Sequence, residues 1–403
     1  MDTFQPIQKI DRVRVVDALR GFALFAILLA NVPFTESADI IYKTRTFVLT
    51  SPGTDKMLDG FFHLLIDKKF VAIFSILFGF GFYVQLKRAE ERGIAFKKYF
   101  LIRMLLLLTI ACIHAYFLWF GDIIRDYAIC GLLVLLVYKW SPKKILITGL
   151  LFAVLGTAVV FILNGVIGVS YPFDTSIVNE YPITTFYWRY LQINARIDPF
   201  RNFIQDSPIT LVFAFGCMLV GFAMAKSGFF HHHEKFRKTT KRLIGLGLLP
   251  GFACSYLFWM ISIGKFELTP ALIWLPVVIV AGLFLQSLSY ISVFVNLYRY
   301  NGFKKLVLPF EFVGRMALTN YILQSVFYLL IFFHCTNGLK LYGRVTMTET
   351  YLVAIVLFIL QVIFSKWWLK DHSQGPIEFL WKSMAYRFFS INARQKKFQP
   401  VLK

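Results

Sequence analysis

The chain has 403 residues, of which 58% are hydrophobic and 16% charged, with a mean hydropathy of +0.64; an ordinary soluble domain is about a quarter charged. The formal net charge of +21 would suit a nucleic-acid binder, but the basic residues sit at the ends of apolar segments, not on a polar face, which marks them as topological and argues against nucleic acid. The five cysteines, Cys112, Cys130, Cys217, Cys254 and Cys335, lie in or beside apolar blocks without CxxC spacing, and suggest neither a disulfide framework nor a zinc site.

Apolar runs predict spans near 18–36, 70–87, 99–120, 123–140, 144–169, 207–226, 242–264, 269–298, 309–335 and 349–369. At about 20 residues per crossing, roughly ten spans leave little for a soluble domain. The first apolar block starts at Asp17 with no small-residue cleavage site behind it, so it reads as a retained helix and not a signal peptide. Basic connectors then fix the expected orientation. Lys87, Arg88, Arg92, Lys97 and Lys98 follow the second span, and Lys139, Lys143 and Lys144 the fourth. Lys226, Lys235, Arg237, Lys238, Lys241 and Arg242 follow the sixth, Arg299, Lys304 and Lys305 the eighth, and Arg394, Lys396 and Lys397 the last. All fall on one side if both termini are cytoplasmic. The expected fold is therefore all-α: a polytopic integral membrane bundle of about ten transmembrane helices, in the plasma or inner membrane, with the lipid bilayer as its surroundings.

The connector at 170–206 divides the chain into an N-terminal bundle, 1–206, and a C-terminal one, 207–403, of five predicted spans each. No repeat between them is legible. The connector carries Tyr171, Tyr181, Phe186, Tyr187, Trp188, Tyr190 and Phe200 with Arg189, Arg196 and Arg201, a mixture that suits an interfacial helix, a lid over a cavity, or a loop anchored by aromatics at the headgroups. Near the C-terminus, Gly375-Pro376-Ile377-Glu378-Phe379-Leu380-Trp381-Lys382 predicts a helix starting at the proline and lying along the inner membrane surface.

An ionisable side chain inside a span costs roughly 2.5–3.5 kcal/mol and is a functional candidate by default. On the first span, Asp17 and Arg20 lie one turn apart, and Asn31 is eleven residues beyond Arg20, about 16 Å along the same face. Asp17 and Arg20 alternatively form a local pair at the membrane border. The third span repeats the pattern with Arg103 and then His114. His114 precedes Trp119, Gly121-Asp122, Arg125 and Asp126, so an imidazole and carboxylates share one end of a helical hairpin, the arrangement of an oriented general base or of a structural histidine. The ninth span carries Glu311 and Arg315, then Asn320, Gln324 and Tyr328 at four-residue intervals, a stripe that lines a cavity or joins helices. His63, Asp67, Lys68 and Lys69 read as an interface segment. Gly79 and Gly81 lack a following Lys-Ser or Lys-Thr and read as packing glycines, not a phosphate loop. His231, His232 and His233 are adjacent on a loop and do not build a closed metal site, so no metal is expected.

The run Asp17-Ala18-Leu19-Arg20-Gly21-Phe22-Ala23-Leu24 through Asn31, the block Lys69-Phe70 to Phe74-Ser75-Ile76-Leu77-Phe78-Gly79, and Ile113-His114 with Trp119-Phe120-Gly121-Asp122-Ile123 resemble the YeiB-like membrane proteins. Gly314-Arg315-Met316-Ala317-Leu318-Thr319-Asn320-Tyr321 with Gln324-Ser325, and Gln374-Gly375-Pro376-Ile377-Glu378-Phe379-Leu380-Trp381, are similar to the marks of their C-terminal domain of unknown function 418. The first span also resembles that of the transmembrane acyltransferases. The acyltransferase-3 pattern places an Arg and a His with ten residues between them; here Arg20 is present and Asn31 stands at the histidine position. The heparan glucosaminide N-acetyltransferases place an Asn there and use a histidine slightly further on, which this chain lacks.

The resemblance implies transfer of an acyl group from cytoplasmic acyl-CoA, as co-substrate and with no bound cofactor, to a hydroxyl or amine of a small-molecule or glycan acceptor on the outer side. Arg20, Arg103 and Arg315 would hold the donor's phosphates. His114, oriented by Asp122, would deprotonate the acceptor, and Asn31 or Asn320 would stabilise the oxyanion. Asp17, Arg125, Asp126, Glu311, Asn320 and Gln324 would line the cavity. Two other classes fit the same charges: a secondary transporter of a small anionic or zwitterionic metabolite, and a non-catalytic membrane component. A homo-oligomer fits any of them.

Overall fold

The computed structural model describes residues 13–31, 53–91, 93, 95–165, 180, 183–197, 208–230 and 234–397. Residues 32–36 of the first expected span, Arg92, His231 to His233, and Tyr171, Tyr181, Phe200 and Arg201 of the long connector lie outside them. The described residues form helices and no strand. In chain order these are α1 (Arg14–Asn31), α2 (Gly53–Leu65), α3 (Lys69–Glu91), α4 (Phe96–Phe117), α5 (Ile124–Val137), α6 (Pro142–Leu150) and α7 (Thr157–Gly165). They continue with α8 (Tyr187–Ile197), α9 (Pro208–Lys226), α10 (Arg237–Ser262), α11 (Leu275–Leu297), α12 (Asn301–Arg315), α13 (Ala317–Phe332), α14 (Met347–Asp371) and α15 (Pro376–Lys397). A π-helical turn, Leu151–Gly156, joins α6 to α7.

Seven helices are long and apolar enough to cross a membrane, or eight if one bent pair is a single span. The surface of α14 has the character of a helix set in lipid. Leu352, Ile355, Val356, Ile359, Leu360 and Ile363 are exposed, whereas Thr350, Gln361 and Ser365 are buried. A helix in water turns its apolar stripe inward; this one does the reverse, because hydrocarbon solvates leucine and the protein interior must supply hydrogen bonds. Two expected spans, at 18–36 and 123–140, are outside the eight. Over its described part, α1 holds Arg14, Asp17 and Arg20 within 18 residues, and α5 has only 14 residues, about 21 Å of helix.

Glycines set the closest crossings. A Cβ on Gly21 would fall 1.9 Å from Phe310 O, and one on Gly314 1.9 Å from Asp17 O, so α1 and α12 touch backbone to backbone through a reciprocal pair. The same device joins α3 to α9, where Gly79 faces Met218 O at 1.9 Å and Gly221 faces Ile76 O at 1.8 Å. Small residues allow this approach where dispersion, and not the hydrophobic effect, holds helices together. Gly81, expected to pack likewise, meets no atom within 4 Å.

The expected ninth span is broken: α12 and α13 meet at 82°. Met316 leaves helical geometry at φ −121° and ψ 37°, and α13 restarts with amides that have no partner inside the helix. Glu378 from α15 supplies it, accepting from Leu318 N at 2.7 Å, Thr319 N at 3.2 Å and Thr319 Oγ1 at 2.5 Å. Helix α15 begins at Pro376, as its sequence predicts, and this bond set seats it across the break.

The opposite problem, unpaired carbonyls at the end of α4, is solved by α8. Tyr187 donates to Phe117 O at 2.5 Å, Asn194 Nδ2 to Tyr116 O at 3.2 Å, and the Tyr190 hydroxyl to Leu118 O. The aromatic connector therefore contains a helix that closes the end of α4 just beyond His114.

Candidate functional site

Three side chains from distant parts of the chain meet behind α8. His114, in the last turn of α4, has Nδ1 3.0 Å from Asp122 Oδ1. Its Nε2 lies 2.8 Å from Ser325 Oγ on α13. All three residues are buried. The carboxylate oxygen stands off the line of an Nδ1–H bond, so the pair is in contact without being aligned. Resting sites commonly show such misalignment, which closes when substrate binds.

Each member is held by its own element. Asp122 accepts from Ile124 N at 3.2 Å and Arg125 N at 2.9 Å, tying down two of the open amides at the start of α5. Arg125 Nε is 3.9 Å from the second oxygen, and its Nη2 reaches Phe120 O at 3.4 Å. Tyr321, one turn before Ser325, stacks near His114 with centroids 5.3 Å apart, and its hydroxyl accepts from Ile123 N at 3.4 Å. Asp126 is buried and makes no hydrogen bond with the described residues. A small crevice lined by Leu118, Trp119, Ser325, Tyr328, Leu329 and Phe333 opens onto the serine, with room for little more than a water. Tyr190 of α8 lies against Phe333 at its rim.

The remaining sequence candidates sit elsewhere. Asn31 ends α1 one turn beyond Leu28, whose carbonyl accepts the Tyr328 hydroxyl at 2.8 Å, and it is not among the residues that line the crevice. Asn320 and Gln324, expected to line the cavity, face α14 instead. Asn320 Nδ2 donates to Ser365 Oγ at 2.9 Å, Gln324 Nε2 to Gln361 Oε1 at 3.1 Å, and Gln361 Nε2 back to Asn320 O at 2.8 Å. They join helices, which was the stripe's other reading. Glu311 also leaves the stripe, taking Arg14 at 2.9 Å and the Tyr298 hydroxyl at 2.7 Å. Asp17 and Arg20 form the local pair, 3.2 Å apart.

The three arginines do not converge on one visible pocket. Arg315 Nη2 donates to Ser373 O at 3.4 Å. Arg103 is buried beneath α15, its guanidinium 4.2 Å from the centre of the Trp381 ring, while Trp381 Nε1 donates to Arg103 O at 2.8 Å. Its one side-chain hydrogen bond among the described residues goes to the Tyr99 hydroxyl at 3.5 Å, and Nε has none. A buried cation without a counter-charge costs several kcal/mol, and a desolvated stack on tryptophan offsets about 2 kcal/mol of that.

A second, half-buried charge cluster surrounds the turn between α2 and α3, where sequence suggested only an interface. His63 lies between Asp59, at 3.5 Å, and Asp67, at 3.2 Å, while Lys69 is fully buried with Nζ 2.5 Å from His63 O. Trp259 Nε1 donates to Asp59 at 2.8 Å. Among the described residues, no group of three His, Cys, Asp or Glu side chains is arranged to hold a metal ion.

Sequence reasoning missed Ser325 as a chemical group. Serine is common in spanning helices, where it bonds the carbonyl one turn back, and only its contact with a histidine 211 positions away separates it from the others.

Residues 224–388 match the family model described as "Protein of unknown function (DUF418)". The chain is 30% identical to "Uncharacterized protein YxaH" of Bacillus subtilis (strain 168), over 98% of its own length and 100% of that protein's. It is 26% identical to "Uncharacterized protein YeiB" of Escherichia coli (strain K12), over 94% of this chain and 97% of the other. It is also 29% identical to "Uncharacterized 39.9 kDa protein in amylase 3'region" of Bacillus acidopullulyticus, over 94% and 96%. These names state no activity.

Proposed function

The chain belongs to the YeiB-like family that carries the domain of unknown function 418, and we propose that it is a membrane-embedded acyltransferase, with Ser325 as nucleophile, His114 as general base and Asp122 as the carboxylate that orients the imidazole. The observation that carries this reading is the buried contact chain itself: Ser325 Oγ to His114 Nε2 at 2.8 Å, and His114 Nδ1 to Asp122 at 3.0 Å. A serine is a poor nucleophile until an adjacent base removes its proton, and the base needs a group that holds it in the right tautomer.

The reaction has two halves. Ser325 Oγ attacks the carbonyl carbon of a thioester, acyl-CoA in this reading, as its proton passes to His114 Nε2. The C–S bond breaks and the thiol leaves with that proton, giving an ester on Ser325. A hydroxyl or amine of a small-molecule or glycan acceptor then loses its proton to the same nitrogen and attacks the ester, and Ser325 departs reprotonated. Asp122 stabilises the imidazolium formed in each half. Asn31, at the end of α1, is the amide we assign to the oxyanion. The crevice must widen to admit an acyl group, and α8 is the element over it. The host is the plasma or inner membrane.

The test is transient acylation. Purified protein mixed with acyl-CoA and no acceptor should gain an acyl group on Ser325 by intact-mass and peptide analysis, and Ser325→Ala and His114→Ala should not. Acylation at another residue, or none with any chain length, would refute the assignment. Secondary transport is the second reading, favoured by one observation: half-buried Asp59, His63 and Asp67 surround the fully buried Lys69 in a charge cluster that acyl transfer does not use. It requires pH-dependent flux that Lys69→Met abolishes and Ser325→Ala leaves intact.

A further inference from the structure

We propose that Arg103 anchors a phosphate-binding site that the C-terminal helix α15 closes. This does not rest on acyl transfer, because the phosphate of a lipid headgroup would satisfy the site as well as that of a soluble ligand.

The argument begins with what Arg103 lacks. Its side chain is buried, Nε has no hydrogen-bond partner, and Nη1 reaches only the Tyr99 hydroxyl at 3.5 Å. No carboxylate among the described residues lies within ion-pair distance. Guanidinium has five donors in a planar fork, and burial leaves most of them without acceptors. Bundles keep such a group when something charged arrives to complete it.

Glu378, on α15 one turn from Trp381, is the natural candidate for a counter-ion, and it is engaged elsewhere. Its two oxygens take Leu318 N, Thr319 N and Thr319 Oγ1. In place of an anion, the guanidinium has the Trp381 ring at 4.2 Å. An aromatic face is a substitute that an oxyanion can displace, since a bidentate fork to two phosphate oxygens is the stronger and better aligned contact.

The surroundings favour phosphate over a singly charged carboxylate. Lys97 and Lys98 immediately precede Tyr99 at the start of α4, and α15 itself carries Lys382 and Arg387. Tyr99 in turn packs edge-on against Phe389 of α15, so the basic start of α4 and the basic helix lie together. A cluster of like charge concentrates multiply charged anions most strongly. Arg103 is the fixed, desolvated member that the ligand reaches when the Trp381 side of α15 moves aside.

The experiment uses the full chain in maltoside micelles stripped of lipid, so that no phosphate is present at the start. Pyrophosphate is titrated in one arm and phosphatidylglycerol in the other, with thermal unfolding and native mass spectrometry as readouts. Stabilisation with a bound adduct in wild type, weakened at least tenfold in Arg103→Gln, is the expected result. Response to pyrophosphate alone identifies a soluble phosphate ligand, and response to phosphatidylglycerol alone identifies a lipid headgroup; either supports the site. Ligand-free Arg103→Gln should be no less stable than wild type. If that variant fails to fold, Arg103→Lys keeps the charge, loses the fork, and should bind several-fold more weakly. No response in either arm, or an equal response in wild type and both Arg103 variants, overturns the proposal.

Discussion

Replacing Asp122 by asparagine separates the two tasks this carboxylate performs. Its Oδ1 accepts from Ile124 N at 3.2 Å and faces His114 Nδ1 at 3.0 Å, while Oδ2 accepts from Arg125 N at 2.9 Å and faces the Arg125 guanidinium. Asparagine has one carbonyl oxygen and one NH2 for these two positions. The shorter amide bond and the arginine both draw the oxygen to the Oδ2 place, which turns the NH2 toward Ile124 N and His114 Nδ1. Nδ1 must then accept, Nε2 must carry the proton, and Ser325 faces a donor where it needs a base. Loss of the Ile124 bond costs about 1 kcal/mol of stability. Loss of the correct tautomer costs about 10⁴-fold in nucleophile activation, the scale seen for this change in serine triads. The assay needs no knowledge of the acceptor: a fluorophosphonate reagent phosphonylates an activated serine, and intact-mass spectrometry gives its rate at Ser325. Asp122→Asn should remain folded and react slowly; Asp122→Ala should react slowly and lose about 2 kcal/mol or more, since both amides lose their acceptors. If Asp122→Asn reacts within about threefold of wild type while stability falls by the expected amount, the carboxylate is a helix cap and the triad assignment fails.

Other expectations follow from the packing. Gly314→Ala drives a methyl group into Asp17 O and should cost about 3 kcal/mol; the double variant with Gly21→Ala should cost less than the sum, because one separation of α1 from α12 relieves both clashes. Glu378→Gln should destabilise by about 1–2 kcal/mol and release α15, measured by hydrogen exchange at Leu318 and Thr319 and by proteolysis of the C-terminus. Gln361→Leu removes two bonds between α13 and α14 and should cost about 0.6–1.7 kcal/mol in a reconstituted unfolding assay. The Arg189 fork, 2.6 and 2.7 Å from the Glu180 oxygens, holds that carboxyl below its ordinary value. Its contribution is therefore complete above the usual carboxylate range and is lost as pH falls through the depressed value. Exchange in α8 should rise on acidification, and Glu180→Gln should show the same loosening at neutral pH; an exchange profile indifferent to both would refute the link.

The helical class and the membrane setting were legible because they depend on composition and on runs of apolar residues that no soluble core could hide. His114 with Asp122 was legible too, since eight residues across a tight turn leave little freedom. What sequence could not supply were contacts between residues far apart in the chain. The stripe of Glu311, Arg315, Asn320 and Gln324 looked continuous because intervals of four, five and four residues keep one face of a straight helix, but the helix bends at Met316 and sends its two halves to different partners. Lys69 looked like an interface lysine because Lys68 and Asp67 precede it, yet the turn at Lys68, with φ of 65°, directs it inward. Ser325 had no local signal at all.

The cap on α13 also sets an order of assembly. Leu318 and Thr319 wait for Glu378, which follows them by 60 and 59 residues, and His114 waits 211 residues for Ser325. During synthesis α13 therefore emerges with open amides and a polar face, and α15, made after it, is the piece that closes it. Until Pro376 to Trp381 have left the ribosome, neither the bend nor the cover over Arg103 is complete, so the helix that carries Ser325 gains its lock only after a segment some sixty residues downstream has been made.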